Sequence, residues 1–95
     1  MTNYFIVVCY DLPDDRRRTR LHTLLCNYGT PVQYSVFECV VDGRQLAELQ
    51  RRVRGVIKPR LDHVRYYRLC AACRSQIEST RGEIETGGDD AAWVV

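Results

Sequence analysis

An aspartate stands at the end of an apolar stretch near the start of the chain. The segment FIVVCYDLPDDRRR runs through six apolar or aromatic residues, then reaches Asp11, a proline turn and three consecutive arginines. Loops at strand ends are where a rigid scaffold presents reactive groups. A carboxylate can hold a divalent cation, and arginines can hold phosphates. The pattern indicates a site for phosphate esters, with an ordinary turn aspartate beside a solvated arginine face as the alternative.

One aspartate is a small ligand set for a metal ion. Magnesium takes one or two carboxylates and completes its coordination with water and substrate phosphates. A two-fold homodimer would bring two copies of Asp11 together, because an isologous interface duplicates every residue across its axis. Asp14 and Asp15 are expected to be helix-start residues instead. His22 is expected to be an ordinary surface histidine rather than a general base.

Arginine dominates the basic residues. Thirteen of the 14 cationic side chains are arginine, and the net charge of +2 is uneven along the chain. Residues 1–81 hold 14 basic and 8 acidic residues, whereas residues 82–95 hold 4 acidic residues and no basic one. The planar fork of arginine suits phosphate better than a lysine ammonium does. A genome that encodes arginine by default explains the composition equally well.

The five cysteines form an odd set without a secretion signal, so they are expected to be reduced thiols. Cys9, Cys26 and Cys39 fall in strand-like or helical patterns and are expected in the core. Cys70 and Cys73 form a single CxxC. A structural zinc site needs four ligands, and the further candidates are His22 and His63, so a packed turn is expected here rather than zinc.

The first half of the chain predicts a strand, a helix and a second strand region. Tyr4 to Cys9 reads as a strand covered on both faces. Asp14 is the expected N-cap of a helix with a regular apolar face, and Gly29 is expected to end that helix. Arg16 and Arg20 fall on its outer face. The stretch from residue 32 to 41 predicts one bent strand or a very tight hairpin.

The second half predicts a helix after Asp42 and Gly43, a strand from His63 to Cys70 and a short helical turn within 71–79. This order predicts an α+β fold, a ferredoxin-like βαββαβ sandwich in which β1 is central and both helices cover one face. Residues 1–80 are expected to form that domain. Residues 81–95 are expected to form an extra C-terminal strand and an acidic tail whose AAWVV tip docks on a partner chain, with a disordered tail as the alternative.

Two general expectations follow from size and hydropathy. A chain of 95 residues has a limited core, so a homodimer would help its stability. No apolar run approaches the length of a membrane span, and the start lacks the features of a signal peptide. We therefore expect a cytoplasmic protein without a membrane partner.

The segment VVCYDLPDDRRRTRLHTLLCNYGTPVQYSVFEC closely resembles the CRISPR-associated Cas-two family. The matching elements are the YD that ends the first strand, DDRRRTRL, YG, VQYSVFE and an arginine- and tyrosine-rich strand near residue 66. The resemblance spans Tyr4 to about Leu69. It implies a small divalent-metal-dependent endonuclease that is also the non-catalytic partner of the CRISPR spacer integrase, a Cas-one type protein.

The resemblance also implies roles for single residues. Asp11 corresponds to the family's metal-binding aspartate, which would share Mg²⁺ or Mn²⁺ with its copy across the dimer axis. Tyr10 corresponds to the adjacent aromatic residue and would join Asp11 as a catalytic residue. Where some members carry an arginine just after the helix-closing glycine, this chain has a shorter turn with Pro31.

Four further residues are implied as nucleic-acid contacts. Arg18 and Arg20 correspond to basic helix residues that handle substrate, and Arg16 shares their helix. Phe37 corresponds to the phenylalanine of the family's S-V-F motif. These four residues would bind double-stranded DNA and, in a nuclease, also single-stranded RNA.

Three functions are therefore open at this point. The first is a metal-dependent phosphodiesterase acting on RNA or DNA at Asp11. The second is a CRISPR adaptation scaffold, a homodimer that bridges integrase subunits and holds protospacer duplex DNA by its phosphates. The third is an mRNA-cleaving ribonuclease toxin of the virulence-associated D type. Neighbouring genes would separate the toxin from the CRISPR functions.

Overall fold

The fold is a four-stranded antiparallel sheet with two main helices. The computed structural model describes residues 2–80. Its elements are β1 (Asn3–Asp11), α1 (Asp15–Leu25), β2 (Gly29–Gln33), β3 (Val36–Asp42), α2 (Gly43–Val56), β4 (His63–Leu69) and α3 (Ala71–Arg74). The strand order is β2-β3-β1-β4, so β1 is central as predicted. The ferredoxin-like βαββαβ arrangement is confirmed, while the predicted strand and tail at 81–95 lie outside the described residues.

Both main helices pack on the same face of the sheet. Alternate residues of the central strands point to this face, because successive side chains of a strand point to opposite sides. With the inward residues of the helices they form a continuous buried core: Ile6, Val8, Tyr10, Phe37, Cys39, Val41, Leu21, Leu25, Leu49 and Val53. Part of the cysteine prediction is wrong, because Cys26 is exposed at the end of α1 and only Cys39 is fully in the core.

The opposite face of the sheet, here called the open face, is only partly covered by residues 2–80. Phe5 is 2% exposed, and the guanidinium of Arg74 in α3 lies 4.9 Å from the centroid of its ring. Val7 and Cys9 on the same strand face are only half-buried. Tyr67, opposite Val7 on β4, is 45% exposed. Within residues 2–80, β1 is therefore fully covered on the helix side and only partly covered on the open face.

The two helices begin where the sequence places them. The side chain of Asp14 accepts a hydrogen bond from the backbone N–H of Arg17 at 2.9 Å, which confirms it as an N-cap. Asp42 and Gln45 form a capping box at the start of α2, with side-chain to backbone distances of 2.8 and 2.9 Å. These reciprocal bonds satisfy backbone donors that the first helical turn leaves without partners.

Gly29 does not end the first helix. The helix ends at Leu25 with Cys26 as its C-cap, and Gly29 begins β2 opposite Cys39. A Cβ atom at Gly29 would lie 2.3 Å from the carbonyl oxygen of Glu38 and 2.5 Å from the sulfur of Cys39. The glycine is needed because two strands approach closely there, which is a tertiary constraint that the helix-end pattern does not reveal.

We expect Gly29→Ala to destabilise the fold by about 1–3 kcal/mol, because the added methyl group meets backbone that cannot move away cheaply. Chemical denaturation measures the change. Gly55→Ala is the matched control, since a Cβ there has no atom within 4 Å and the position lies in α2. That substitution should stabilise the protein by up to about 1 kcal/mol. Equal effects at the two glycines would contradict the close-approach explanation.

The region from residue 32 to 41 forms a hairpin, which confirms the second of the two predicted alternatives. β2 and β3 are joined by the two residues Tyr34 and Ser35, and the register shifts between Pro31 and Gln33. Ser35 adopts the left-handed conformation with φ 67°. The turn leaves Tyr34 86% exposed at the tip of the hairpin.

Candidate functional site

Asp11 lies at the last position of the central strand β1 and is exposed. Its Cα atom is paired with that of His63, the first residue of the antiparallel strand β4. Directly paired residues project to the same side of a sheet. Since Tyr10 points into the core under the helices, Asp11 and His63 project to the open face. The predicted strand-end carboxylate is thus accessible to solvent and to a partner.

A polar row that sequence reasoning missed runs beside Asp11 along β4. The Nε of Arg65 donates to the Nε2 of His63 at 3.3 Å, and its Nη1 donates to the hydroxyl oxygen of Tyr67 at 3.1 Å. Alternation within HVRYYRL was the available signal, because it places these three residues on one face. The end of β1 beside which these residues lie depends on the antiparallel pairing of β4 with β1. The sequence pattern alone therefore did not predict that they lie near Asp11.

Tyr10 lies on the other side of the sheet from Asp11. It is 7% exposed, and its backbone N–H donates to the carbonyl of Ser35 at 3.1 Å. Burial raises the pKa of the Tyr10 phenol, while a side-chain hydrogen bond with Ser35 acts in the opposite direction. Within residues 2–80 Tyr10 thus lies on the opposite face from the Asp11 carboxylate, and its catalytic role stays a prediction. Adjacent residues of a strand point to opposite faces.

Phe37 is a core residue and not a surface contact. It is fully buried, with its ring centroid 6.4 Å from that of Tyr10 and 5.1 Å from that of His22 in an edge arrangement. The ring has no exposed surface in this structure, and the implied contact between Phe37 and nucleic acid stays a prediction. Phe37 lies in β3 and packs against His22 of α1, so it helps to hold α1 against the β2–β3 hairpin.

Arg17 forms an ion pair with a buried aspartate, Asp62. Its Nε and Nη2 donate to the two carboxylate oxygens of Asp62 at 2.6 and 2.9 Å, the bidentate geometry that favours strong pairing. The Asp62 side chain has no exposed surface and also accepts from the backbone N–H of Lys58 at 2.8 Å. The Arg17 hydrogen bond lowers the pKa of Asp62 below its ordinary value. This arginine ties α1 to the loop before β4.

The other arginines of α1 are arranged differently. The Nη1 of Arg18 donates to the carbonyl of Leu12 at 2.7 Å, and its Nη2 pairs with Asp15. Its guanidinium therefore lies beside the segment that leaves Asp11. Arg16 and Arg20 are exposed and one helical turn apart, as predicted. Of these four arginines, Arg17 is half-buried in an ion pair, Arg18 is held by Leu12 and Asp15, and Arg16 and Arg20 face solvent.

A separate pocket of about 220 Å³ lies between α1 and the β2–β3 hairpin. Tyr10, Arg18, His22, Tyr34 and Ser35 are among its lining residues. His22 is exposed, as expected for a surface histidine. The pocket opens on the helix side of the sheet, so within one chain it is a different place from the Asp11 carboxylate.

Asp11 by itself supplies few protein ligands for a metal ion. Within residues 2–80, no three or more histidine, cysteine, aspartate or glutamate side chains come together as a metal-binding group. Asp11 offers carboxylate oxygens, which are the ligands that magnesium and manganese accept, and water and phosphate can complete their coordination. One carboxylate per chain makes half of such a site. A second copy of Asp11 would supply the other half.

Known proteins with sequence similarity point to one family. Residues 4–77 match the family described as CRISPR associated protein Cas2. A CRISPR-associated endoribonuclease Cas2 from Synechocystis is 41% identical over 75 residues, which cover 79% of this chain and 82% of that protein. A CRISPR-associated endonuclease Cas2 from Thermus thermophilus is 50% identical over 60 residues, which cover 63% of this chain and 67% of that protein.

A solved structure agrees with these matches. The crystal structure of Streptococcus pyogenes Cas2 aligns with a TM-score of 0.72 at 27% identity, covering 80% of this chain and 98% of that one. The fold of this chain is thus shared with a solved Cas2 structure, and its sequence matches the Cas2 family model over residues 4–77. The chain belongs to the CRISPR-associated Cas2 family. Within the described residues, no helix has the length and apolarity needed to cross a membrane.

Proposed function

We propose that this chain is a CRISPR adaptation protein that acts as a homodimer and hydrolyses phosphodiester bonds at a metal ion held by two copies of Asp11. The observation that carries the proposal is the position of Asp11, exposed at the end of the central strand and directed to the open face. That face keeps half-buried apolar residues next to the carboxylate. A two-fold partner on this face would cover them and bring the two carboxylates near each other.

The chemistry assigned to each group follows from its type. The two Asp11 carboxylates would hold Mg²⁺ or Mn²⁺, which when bound neutralises charge at the scissile phosphate and activates the attacking water. His63, which pairs with Asp11, and the neighbouring Arg65 would position the phosphate backbone. In support of hydrolysis, the two relatives named above carry the names endoribonuclease and endonuclease.

The outer face of α1 would bind nucleic acid by its phosphates. Arg16 and Arg20 project into solvent, and Arg18 lies beside the segment that follows Asp11. Contacts of this kind hold protospacer duplex DNA with little sequence preference, because they meet phosphates rather than base edges. A protein partner, the Cas-one type integrase, would be bridged by the homodimer. Membership of the Cas2 family favours this CRISPR role over the toxin alternative.

The salt dependence of duplex DNA binding tests the phosphate contacts. We expect Arg16→Ala and Arg20→Ala each to reduce the slope of log K against log salt by about 0.9, and by about 0.7 with a single strand. When one phosphate contact is lost, the DNA releases fewer counterions as the protein binds, so affinity depends less steeply on salt. Fluorescence anisotropy with labelled DNA at several salt concentrations measures the slope.

Arg44→Ala is the control for that experiment. Arg44 is an exposed arginine in the first turn of α2, which follows Asp42. Asp42 pairs with Asn3 at the opposite end of the sheet from Asp11. Arg44→Ala should therefore leave the slope of log K against log salt unchanged. A salt-insensitive interaction, or equal losses at Arg16 and Arg44, would contradict binding by the outer face of α1.

If the proposed homodimer forms through the open face, self-association of the chain should depend on the residues of that face. Sedimentation equilibrium at micromolar concentration should show a dimer for the natural chain. Tyr67→Lys should raise the dissociation constant by about thirtyfold or more, because a charge replaces an aromatic side chain at the interface. The effect comes from loss of apolar contact and from desolvation of the new ammonium group.

Leu61→Lys is the matched control for the dimer. Leu61 is 60% exposed in the loop before β4, so the same change adds the same charge away from the open face. The dimer should persist in this variant. A stable monomer of the natural chain at these concentrations would remove the shared metal site, while dissociation by both variants would assign the effect to charge alone.

A further inference from the structure

The CxxC of this chain lies outside the proposed metal site and the outer face of α1. Cys70 follows β4 directly and precedes α3, and Cys73 lies within that short helix. The turn is closed by a hydrogen bond from the backbone N–H of Arg74 to the carbonyl of Cys70 at 2.8 Å. Both thiols are exposed. None of the functions discussed above uses them.

The two thiols lie on the same helical turn, with Cys70 as the N-cap of α3 and Cys73 as the third residue of that helix. The backbone N–H and the thiol of Cys73 both hydrogen-bond to the sulfur of Cys70. A disulfide needs about 3.5–4.5 Å between the Cβ atoms, a separation that side chains at the two ends of one four-residue turn can reach.

We propose that Cys70 and Cys73 form a reversible dithiol–disulfide pair that reacts with small-molecule disulfides such as oxidised glutathione. Cys70 is the nucleophile. Its thiolate attacks one sulfur of the small disulfide, a mixed disulfide forms, and the first small thiolate leaves. Cys73 then loses its proton and attacks the Cys70 sulfur, and the second small thiolate leaves. The pair is oxidised by two electrons, and the small disulfide is reduced to two thiols.

The electrostatics of the pair support this order of attack. The hydrogen bonds from Cys73 lower the pKa of the Cys70 thiol, so more of it is thiolate at neutral pH. The hydrogen bond between the two thiols raises the pKa of Cys73, so Cys73 keeps its proton until Cys70 has reacted. Cys26 provides an internal comparison. It is also exposed, and no cysteine lies within three residues of it on either side.

Mass spectrometry of the full chain after treatment with oxidised glutathione, acid quenching and alkylation tests the pair. The natural chain should fall from five alkylatable thiols to three without keeping a glutathione adduct at residue 70 or 73. Cys73→Ser should trap the mixed disulfide on Cys70, since the resolving thiol is gone. Cys70→Ser should form neither the disulfide nor a rapid adduct at Cys73.

Cys26→Ser is the matched control and should lose the same two thiols as the natural chain. Reduced glutathione in excess should restore them. The proposal is overturned if the natural chain keeps five thiols, or if Cys26 forms an adduct faster than Cys70 does. It is also overturned if Cys73→Ser gives no adduct at Cys70 while circular dichroism shows the variant folded. Because the pair shares no residue with the nucleic-acid surface, these outcomes are independent of the proposed nuclease.

Discussion

Replacing Asp11 by asparagine should lower the rate of Mg²⁺- or Mn²⁺-dependent cleavage by about a thousandfold. The change preserves the size of the side chain but removes the charge that a hard cation requires. Loss of a bound metal forfeits several kcal/mol of transition-state stabilisation, and each 1.4 kcal/mol is about tenfold in rate. The cleavage of labelled RNA and DNA in a metal titration measures the effect, with both substrates assayed because the relatives differ in their names.

Asp15→Asn is the control for the Asp11 experiment. Asp15 is an exposed carboxylate four residues further along the chain, paired with Arg18 in the first turn of α1. This variant should keep cleavage. Asp11→Asn should retain its Tm, its dimer and its duplex binding, because Asp11 is exposed and the arginines are unchanged. Cleavage that survives in Asp11→Asn, together with a lower Tm, would make Asp11 a turn residue.

Spacer acquisition in cells separates the two parts of the proposed function. If the homodimer acts mainly as a scaffold between integrase subunits, acquisition should persist in Asp11→Asn even though cleavage is lost, and this is the result we expect. Loss of acquisition with intact DNA binding would instead assign the biological role to the metal site.

Replacing Arg17 by methionine should lower Tm by roughly 10 °C or more. The substitution keeps the aliphatic part of the side chain but leaves the Asp62 carboxylate without its bidentate partner in a place closed to solvent. Removing one member of a buried ion pair is strongly destabilising, because the remaining charge is uncompensated. Differential scanning calorimetry of the metal-free protein measures the shift.

Arg16→Met is the matched control for Arg17→Met. The neighbouring arginine is exposed, so the same chemical change should leave Tm nearly unchanged and should weaken DNA binding instead. Arg17→Met should have the reverse pattern, with DNA binding kept below its Tm. Equal Tm shifts in the two variants would show that the Asp62 pair does not determine stability.

The ion pair between Arg17 and Asp62 also predicts that the stability of the fold depends on pH. Arg17 holds the pKa of Asp62 below its ordinary value of 3.8. The folded state therefore gains stability above that value and loses it as the pH falls through the lower, folded pKa. The stability difference between the natural chain and Arg17→Met should be constant near neutral pH and should shrink below about pH 4.

Local patterns were reliable where the interaction that makes the structure is also local. Asp14 caps α1 through the backbone of Arg17, three positions away, so short-range spacing was enough to predict that helix start. The same reasoning correctly placed Arg16 and Arg20 on the outer face of α1. It was wrong for Gly29, because the atoms that exclude a side chain there belong to β3 and not to the preceding helix.

The sequence by itself determined the order of elements, the carboxylate at the tip of the first strand and the resemblance to a family that the comparisons then identified. These follow from periodicity and from residues close together in the chain. Only the tertiary structure decided that Phe37 is buried, that Tyr10 and Asp11 face opposite ways, that Arg17 binds Asp62 and that His63 lies beside Asp11. Contacts between distant segments depend on strand order, register and the side of the sheet that the helices cover, which the local pattern of a segment does not contain.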